Sequence, residues 1–249
     1  MSREHKSLPR LYVKAPLGAG GDLALGEDHA NYLVNVLRME PGARFIVFNG
    51  ADGAWEASLT LARKRAAAAT LVAQLRPQTP PSTLWFGFAP LRTGRLDYLV
   101  QKATEMGAGT IQPVLTRFTQ VRNLKPEKLE ANIIEAAEQC EVLSVPELAP
   151  EIGLTALLAA WPQTHGTMPL IFCDEAAEPQ RLAAQLATLG QGPVGVLIGP
   201  EGGFSDEERA DLLALPFVIP ISLGPRILRA DTAAVAALAI VQAIIGDWR

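Results

Sequence analysis

The chain has 249 residues, of which 49% are hydrophobic and 19% charged, and carries a formal net charge of −4. That balance excludes a disordered chain and provides for a packed core. Two cysteines, Cys140 and Cys173, make no disulfide framework, and His5, His29 and His165 lack metal-ligand spacing, so no metal site is expected.

The opening, MSREHKSLPR, has none of the apolar stretch of a signal peptide. The longest apolar run, Ala233 to Ile245, is broken by Gln242 and falls short of the roughly 20 residues that a membrane span requires. A cytoplasmic protein with no membrane partner is expected. Charge is distributed unevenly. Residues 1–130 hold 17 Lys and Arg against 11 Asp and Glu, whereas residues 131–249 hold 5 against 15. A basic first half can meet an anionic partner, although it also reads as an ordinary solvated surface.

In chain order, HANYLVNVLRM places Tyr32, Leu33, Val36 and Leu37 on one helical stripe, which Pro41-Gly42 ends. RFIVFNG and AWEASLTL read as strands about the turn ADG, with ATLVAQL as a third. Residues 1–75 therefore read as a small β-barrel domain with one or two helices. RPQTPPST, residues 76–83, is a stiff proline-rich linker and the expected domain boundary.

Residues 84–249 alternate. LWFGFAP, TIQPVLT, PLIFCDE, VGVLIG and FVIPISLG are strand-like. GRLDYLVQKATEMG, PEKLEANIIEAAEQC, EPQRLAAQLATLG, SDEERADLLAL and DTAAVAALAIVQAII are helical. Alternation of this kind predicts an α/β domain with a mostly parallel sheet and helices on both faces.

Two of the strands end in glycine-proline turns, Gly199-Pro200 in LIGPEGGFSDEE and Gly224-Pro225 in LGPRILRADT. Ligands of open parallel sheets sit outside the carboxyl ends of the strands, so the two loops could wall one pocket. A glycine-rich turn before a helix often cradles phosphate. Here Glu201 lies in the turn, and Asp206, Glu207 and Glu208 follow it. Ser205 and Glu208 form a capping box, and these acids already complement the positive helix end. A phosphate would be repelled. A ligand without phosphate, cationic or zwitterionic, suits the loop better, and S-adenosylmethionine satisfies this where NAD and ATP do not. In the second loop, Asp231 or Thr232 is expected to cap the last helix. Arg226 and Arg229 could hold phosphates of a nucleic acid, or form structural ion pairs with Glu201 or Asp231.

Taken together, HANYLVNVLRMEPG, FNGADG, QKATEMG, IEAAEQC, LIGPEGGFSDEE and LGPRILRADTAAVAAL make the chain resemble the 16S rRNA uridine-N3 methyltransferase family (RsmE) of the SPOUT class. The resemblance covers nearly the whole chain. It implies a C-terminal SPOUT domain knotted as a trefoil, a PUA-like RNA-binding first domain, a homodimer, and methyl transfer from S-adenosylmethionine to 16S rRNA, with the assembled small subunit as a candidate substrate. By matching positions, the cofactor would be held by Leu197, Ile198, Gly199, Pro200, Glu201, Gly202 and Gly203, and by Leu223, Gly224, Arg226, Ile227 and Leu228. Arg229 matches the arginine beside the pocket. It could stabilise negative charge on the uracil oxygens, with Glu201 or Asp231 accepting the N3 proton. Arg38, Arg44, Arg92, Arg95, Lys102, Arg117, Arg122 and Arg226 are candidate RNA contacts. Glu141-Val142 stands where the family usually has Gly-Arg, and Asp231 where glutamate is commoner.

Rival readings are weaker on sequence. A dehydrogenase would need a GxGxxG turn after the first strand, which is absent. A non-catalytic RNA-binding module leaves the paired loops unused. A SPOUT enzyme acting on tRNA need not share the HANYLVNVLRM domain.

Overall fold

The structure, a computed structural model, describes residues 5–92, 94–121, 123–177 and 182–248. They divide into two compact units, one of residues 1–80 with 137–144, the other of residues 81–136 with 145–249.

The first unit is built on five strands: β1 (Arg10–Tyr12), β2 (Asp22–Leu25), β3 (Arg44–Phe48), β4 (Ala54–Arg63) and β5 (Ala66–Arg76), paired in the order β1-β3-β4-β5-β2. The β3–β4 and β4–β5 pairs are antiparallel, and the register shifts at three places along β4 and β5, which bends these long strands around one core. Leu11, Leu23, Leu33, Phe45, Val47, Leu59 and Leu71 fill that core. The turn after β3 is tied by Asp52, whose carboxylate accepts from the Leu17 amide at 2.9 Å and from Asn49 at 2.6 Å. These bonds, led by the Leu17 amide, hold the Asp52 carboxyl below its usual range.

The predicted stripe in the first helix does not form. A single α-turn, α1 (Glu27–Ala30), passes into a π-helix, Asn31–Val36. The wider winding rotates successive residues away from the 3.6-residue stripe. Leu33 is buried, but Val36 is 61% exposed. The helix also stops before Pro41-Gly42, because Arg38 turns into the left-handed region with φ 54°.

The second unit contains β6 (Leu84–Phe88), α2 (Arg95–Glu105), β7 (Thr110–Leu115), α3 (Pro126–Cys140), β8 (Glu147–Leu148), β9 (Ile152–Gly153) and α4 (Leu154–Thr164). It continues with β10 (Leu170–Cys173), α5 (Leu182–Ala187), β11 (Val194–Ile198), α6 (Asp206–Leu213), β12 (Val218–Ile221) and α7 (Ala230–Ile244). All strand pairs are parallel, in the order β12-β10-β11-β6-β7-β8, with β9 also beside β7.

Both faces of this sheet are buried, as a parallel sheet requires. Phe86, Phe88, Ile171, Val196 and Ile198 point to one face and meet α2, α3, α5 and α7. Trp85, Leu170, Phe172 and Leu197 point to the other and meet α4 and α6. There Trp85 and Trp161 pack edge to face at 4.9 Å.

At the end of α3 the Val142 amide donates to the Ala137 carbonyl at 3.1 Å, a Schellman closure. Glu141 occupies its left-handed position, with φ 60°, where glycine is usual. Its carboxylate meets Arg10 at 2.7 Å and Arg76 at 3.4 Å, which explains how a residue with a Cβ is held there. Removing the ion pairs while keeping the Cβ should be the worse change. Glu141→Gly should therefore be more stable than Glu141→Ala by about 1 kcal/mol in urea melts, since only glycine relieves the left-handed strain.

Candidate active site

Three strand ends, those of β12, β10 and β11, open on one cavity of about 530 Å³. The two glycine-proline loops do line it together. They do not follow neighbouring strands, however, because β10 lies between β12 and β11. Its own end, Cys173-Asp174-Glu175, supplies a third wall that reading the loops as a pair missed. The rule that placed the loops, ligands beyond the carboxyl ends of parallel strands, applies equally to PLIFCDE.

The β11 loop brings Ile198, Gly199, Pro200, Glu201 and Gly203 to the cavity, and the β12 loop brings Leu223, Gly224, Arg226, Ile227, Leu228 and Arg229. Gly203 and Gly224 have φ of 69° and 105°, turns that a side chain would strain. Leu197 lies instead in the core with Phe172 and Trp161. Gly202 turns out of the cavity towards Phe118.

The cavity is lined by the carboxylates of Asp174, Glu175, Glu201 and Asp206 and by the guanidinium groups of Arg209, Arg226 and Arg229. Asp174 is buried and grips Arg209 of α6, with Arg209 Nε 3.0 Å from Oδ2 and a terminal guanidinium nitrogen 2.9 Å from the same oxygen. This pairing raises the Arg209 pKa further. Neither residue carries a sequence signal, as 35 positions separate them. The capping box of α6 is complete. The Ser205 hydroxyl accepts from the Glu208 amide at 3.2 Å, and Glu208 Oε2 accepts from the Ser205 amide at 2.9 Å. Bonding from Ser205, the helix-end amide and the charge of Arg117 hold the Glu207 carboxyl below its usual range. The positive helix end is thus occupied by the protein's own acids.

The last helix begins differently from expectation. Arg229 is its N-cap, without a side-chain capping bond, and Asp231 lies in the first turn, its Oδ1 accepting from the Thr232 amide at 2.9 Å. Asp231 faces Arg95 at 3.9 Å. Among the described residues neither Arg226 nor Arg229 makes an ion pair.

The remaining basic candidates are dispersed. Arg92 is exposed and donates to Gln120 at 2.9 Å, Lys102 pairs with Glu105 at 2.6 Å, and Arg117 is exposed after β7. Arg38 and Arg44 belong to the first unit, where Arg44 pairs with buried Glu56. Arg122 lies outside the described residues. Among the described residues no group of His, Cys, Asp and Glu could hold a metal ion, and no helix is long and apolar enough to cross a membrane.

Comparison with known proteins agrees with this geometry. Residues 78–242 match the model of an RNA methyltransferase domain, and residues 25–72 that of an RNA methyltransferase PUA domain. The chain is 30% identical to ribosomal RNA small subunit methyltransferase E of Rickettsia conorii, over 94% of either chain. It is 32% identical to the protein of that name from Synechocystis, over 86% of this chain and 71% of that protein. Among solved structures, ribosomal RNA small subunit methyltransferase E from Neisseria gonorrhoeae, bound to S-adenosyl methionine, superposes with a TM-score of 0.84. It shares 28% identity over 97% of this chain and 100% of that one. The Legionella pneumophila protein Lpg2936, solved with the bound cofactor SAM, gives 0.81 and 30% identity, over 95% of this chain and 97% of that one.

Cys173 retains some exposure at the cavity, yet burial of its thiol pushes its pKa up to about 12. The thiol stays neutral and is a poor nucleophile. In native protein at pH 8, iodoacetamide should therefore leave Cys173 unmodified, and peptide mass spectrometry should find it alkylated only after unfolding.

Proposed function

The chain belongs to the ribosomal RNA small subunit methyltransferase E family, and we propose that it transfers the methyl group of S-adenosylmethionine to N3 of one uridine in 16S rRNA. The observation that carries this reading is the cavity beyond β12, β10 and β11 in a chain whose solved relative binds that cofactor. Its volume lies within the range of about 300–1,000 Å³ that small-ligand pockets occupy. With Asp174 paired to Arg209, the carboxylates of Glu175, Glu201 and Asp206 face Arg226 and Arg229 across the cavity, and the adjoining helix end is already satisfied by acids, which suits a ligand bearing sulfonium, ammonium and carboxylate charges better than a phosphate at that helix end. Backbone groups at Ile198, Gly199, Gly203, Leu223 and Gly224, with the side chains of Ile227 and Leu228, would hold the cofactor. When bound, S-adenosylmethionine supplies an electrophilic methyl group.

The protein's own part is positioning and charge. Uridine N3 must lose its proton as it attacks, leaving negative charge on the ring oxygens. Arg229, at the cavity wall and without an ion pair among the described residues, is placed to donate hydrogen bonds to that charge. Of the two candidate proton acceptors, Glu201 lines the cavity, whereas Asp231 is engaged by the Thr232 amide and Arg95. Glu201 is accordingly the assigned acceptor. The reading includes a homodimer, the assembled small subunit as substrate and a cytoplasmic location. It also includes the trefoil knot, which the return of the chain across β10 between β11 and β12 supports.

Mass spectrometry of nucleosides from 16S rRNA of a strain lacking the gene should show 3-methyluridine lost, and its persistence would sink the assignment. Arg229→Ala should lower kcat about 100- to 1,000-fold, as loss of an oxyanion donor does, with calorimetric affinity for S-adenosylmethionine nearly retained. A wild-type rate would remove Arg229 from the chemistry.

A further inference from the structure

The loops at the carboxyl edge of the second sheet follow strand order. Those after β12, β10 and β11 close the cavity, and β6 and β7 come next. Their loops carry other chemistry: Arg92 after β6, and Arg117, Phe118 and Gln120 after β7. Resting on the function proposed above, we propose that this ledge is a subsite for the RNA strand next to the target uridine. One unpaired base stacks on Phe118, and the adjoining phosphates meet Arg117 and Arg92.

Phe118 is 45% exposed, a large apolar ring left in water. Its position is fixed nonetheless. Thr116 and Thr119, both buried, close the turn, with the Thr116 amide donating to Thr119 Oγ1 at 2.8 Å. The Arg117 amide donates to Glu208 Oε1 at 2.7 Å. Phe118 also lies against Gly202, where an added methyl group would be 3.4 Å from its Cβ. A ring held this way loses little freedom on stacking. Sequence-specific readers of RNA stack unpaired bases on such aromatics, and a neighbouring arginine tracks the backbone. Arg92 is oriented by Gln120, which takes its Nε at 3.3 Å and a terminal nitrogen at 2.9 Å. The acids beside Arg117 are Glu208, which takes its amide, and Glu207, whose carboxyl its charge helps to hold below the usual range.

The ledge and the cavity share one loop. Glu201 and Gly203 line the cavity, while Gly202 between them meets Phe118. A strand that delivers one base to the cavity thus leaves its neighbour over the ring.

The test uses small ribosomal subunits from a strain lacking the gene as substrate for the full chain. Phe118→Ala should raise the KM for subunits about 5- to 100-fold, the range of losing one stacked base. Its kcat, its calorimetric affinity for S-adenosylmethionine and its melting temperature should stay near wild type. Phe118→Trp should restore the KM, and Phe118→Leu should not. Replacing Arg117 or Arg92 by alanine should flatten the salt dependence of binding by about 0.7 each, whereas Phe118→Ala should leave the slope unchanged. An unchanged KM in Phe118→Ala, or rescue by leucine as complete as by tryptophan, overturns the ledge alone. So does a change of association state in sedimentation with unaltered RNA affinity, which would make the ring a protein contact. A wild-type protein that forms no 3-methyluridine overturns the parent reading, and the ledge with it.

Discussion

One carboxylate, Glu208, couples the parts of the catalytic unit that matter. Its Oε2 accepts from the Ser205 amide and completes the capping box, and its Oε1 accepts from the Arg117 amide across 91 positions of chain. The first bond fixes where α6 begins, and so the path of the glycine loop that must leave β11. The second binds the β7 loop to that same point. Charged acceptors make the stronger hydrogen bonds to backbone amides, and these two sit at a positive helix end that favours the anion. Cavity wall and neighbouring ledge are thus positioned by a residue that lines neither.

That arrangement resolves the conflict in LIGPEGGFSDEE. A glycine turn before a helix is built to receive an anion, yet this one is followed by three acids. The acids do two jobs. Glu208 and Glu207 satisfy the helix end from within, and Asp206 joins Asp174, Glu175 and Glu201 around the cavity. Buried Asp174 is paired with Arg209 through two contacts, leaving the carboxylates of Glu175, Glu201 and Asp206 and the guanidinium groups of Arg226 and Arg229 to set the field that a ligand meets. Along the same sheet edge, the loops after β6 and β7 add Arg92 and Arg117.

The alternation of strands and helices beyond residue 84 was legible because each long apolar run had its punctuation. The same reading failed where elements were short or irregular. β8 and β9 have two residues each, too few to show any period. α4 places Leu154, Leu157, Leu158 and Trp161 on a helical face, but Pro162 in its last turn and the lack of a capping side chain at Gly153 hide it. The π-helix at Asn31–Val36 is beyond periodicity altogether, because hydrophobic spacing assumes the winding it is used to infer. At the site, the loops announced themselves through glycine and proline. The Asp174–Arg209 pair did not, since long-range ion pairs leave no local pattern.

The departure at Glu141 follows the same logic at a helix end. A left-handed turn after α3 asks for glycine, and a residue with a Cβ there must be compensated. Arg10 on β1 and Arg76 at the end of β5 do this together, so the ends of two strands and the turn after α3 meet at a single carboxylate. The Tyr12 amide, donating to Glu138 Oε1 at 2.8 Å, adds a second bond between β1 and the last turn of α3. Val142 therefore lies in a turn that, within the first unit, is tied to β1 and β5 by Glu138 and Glu141.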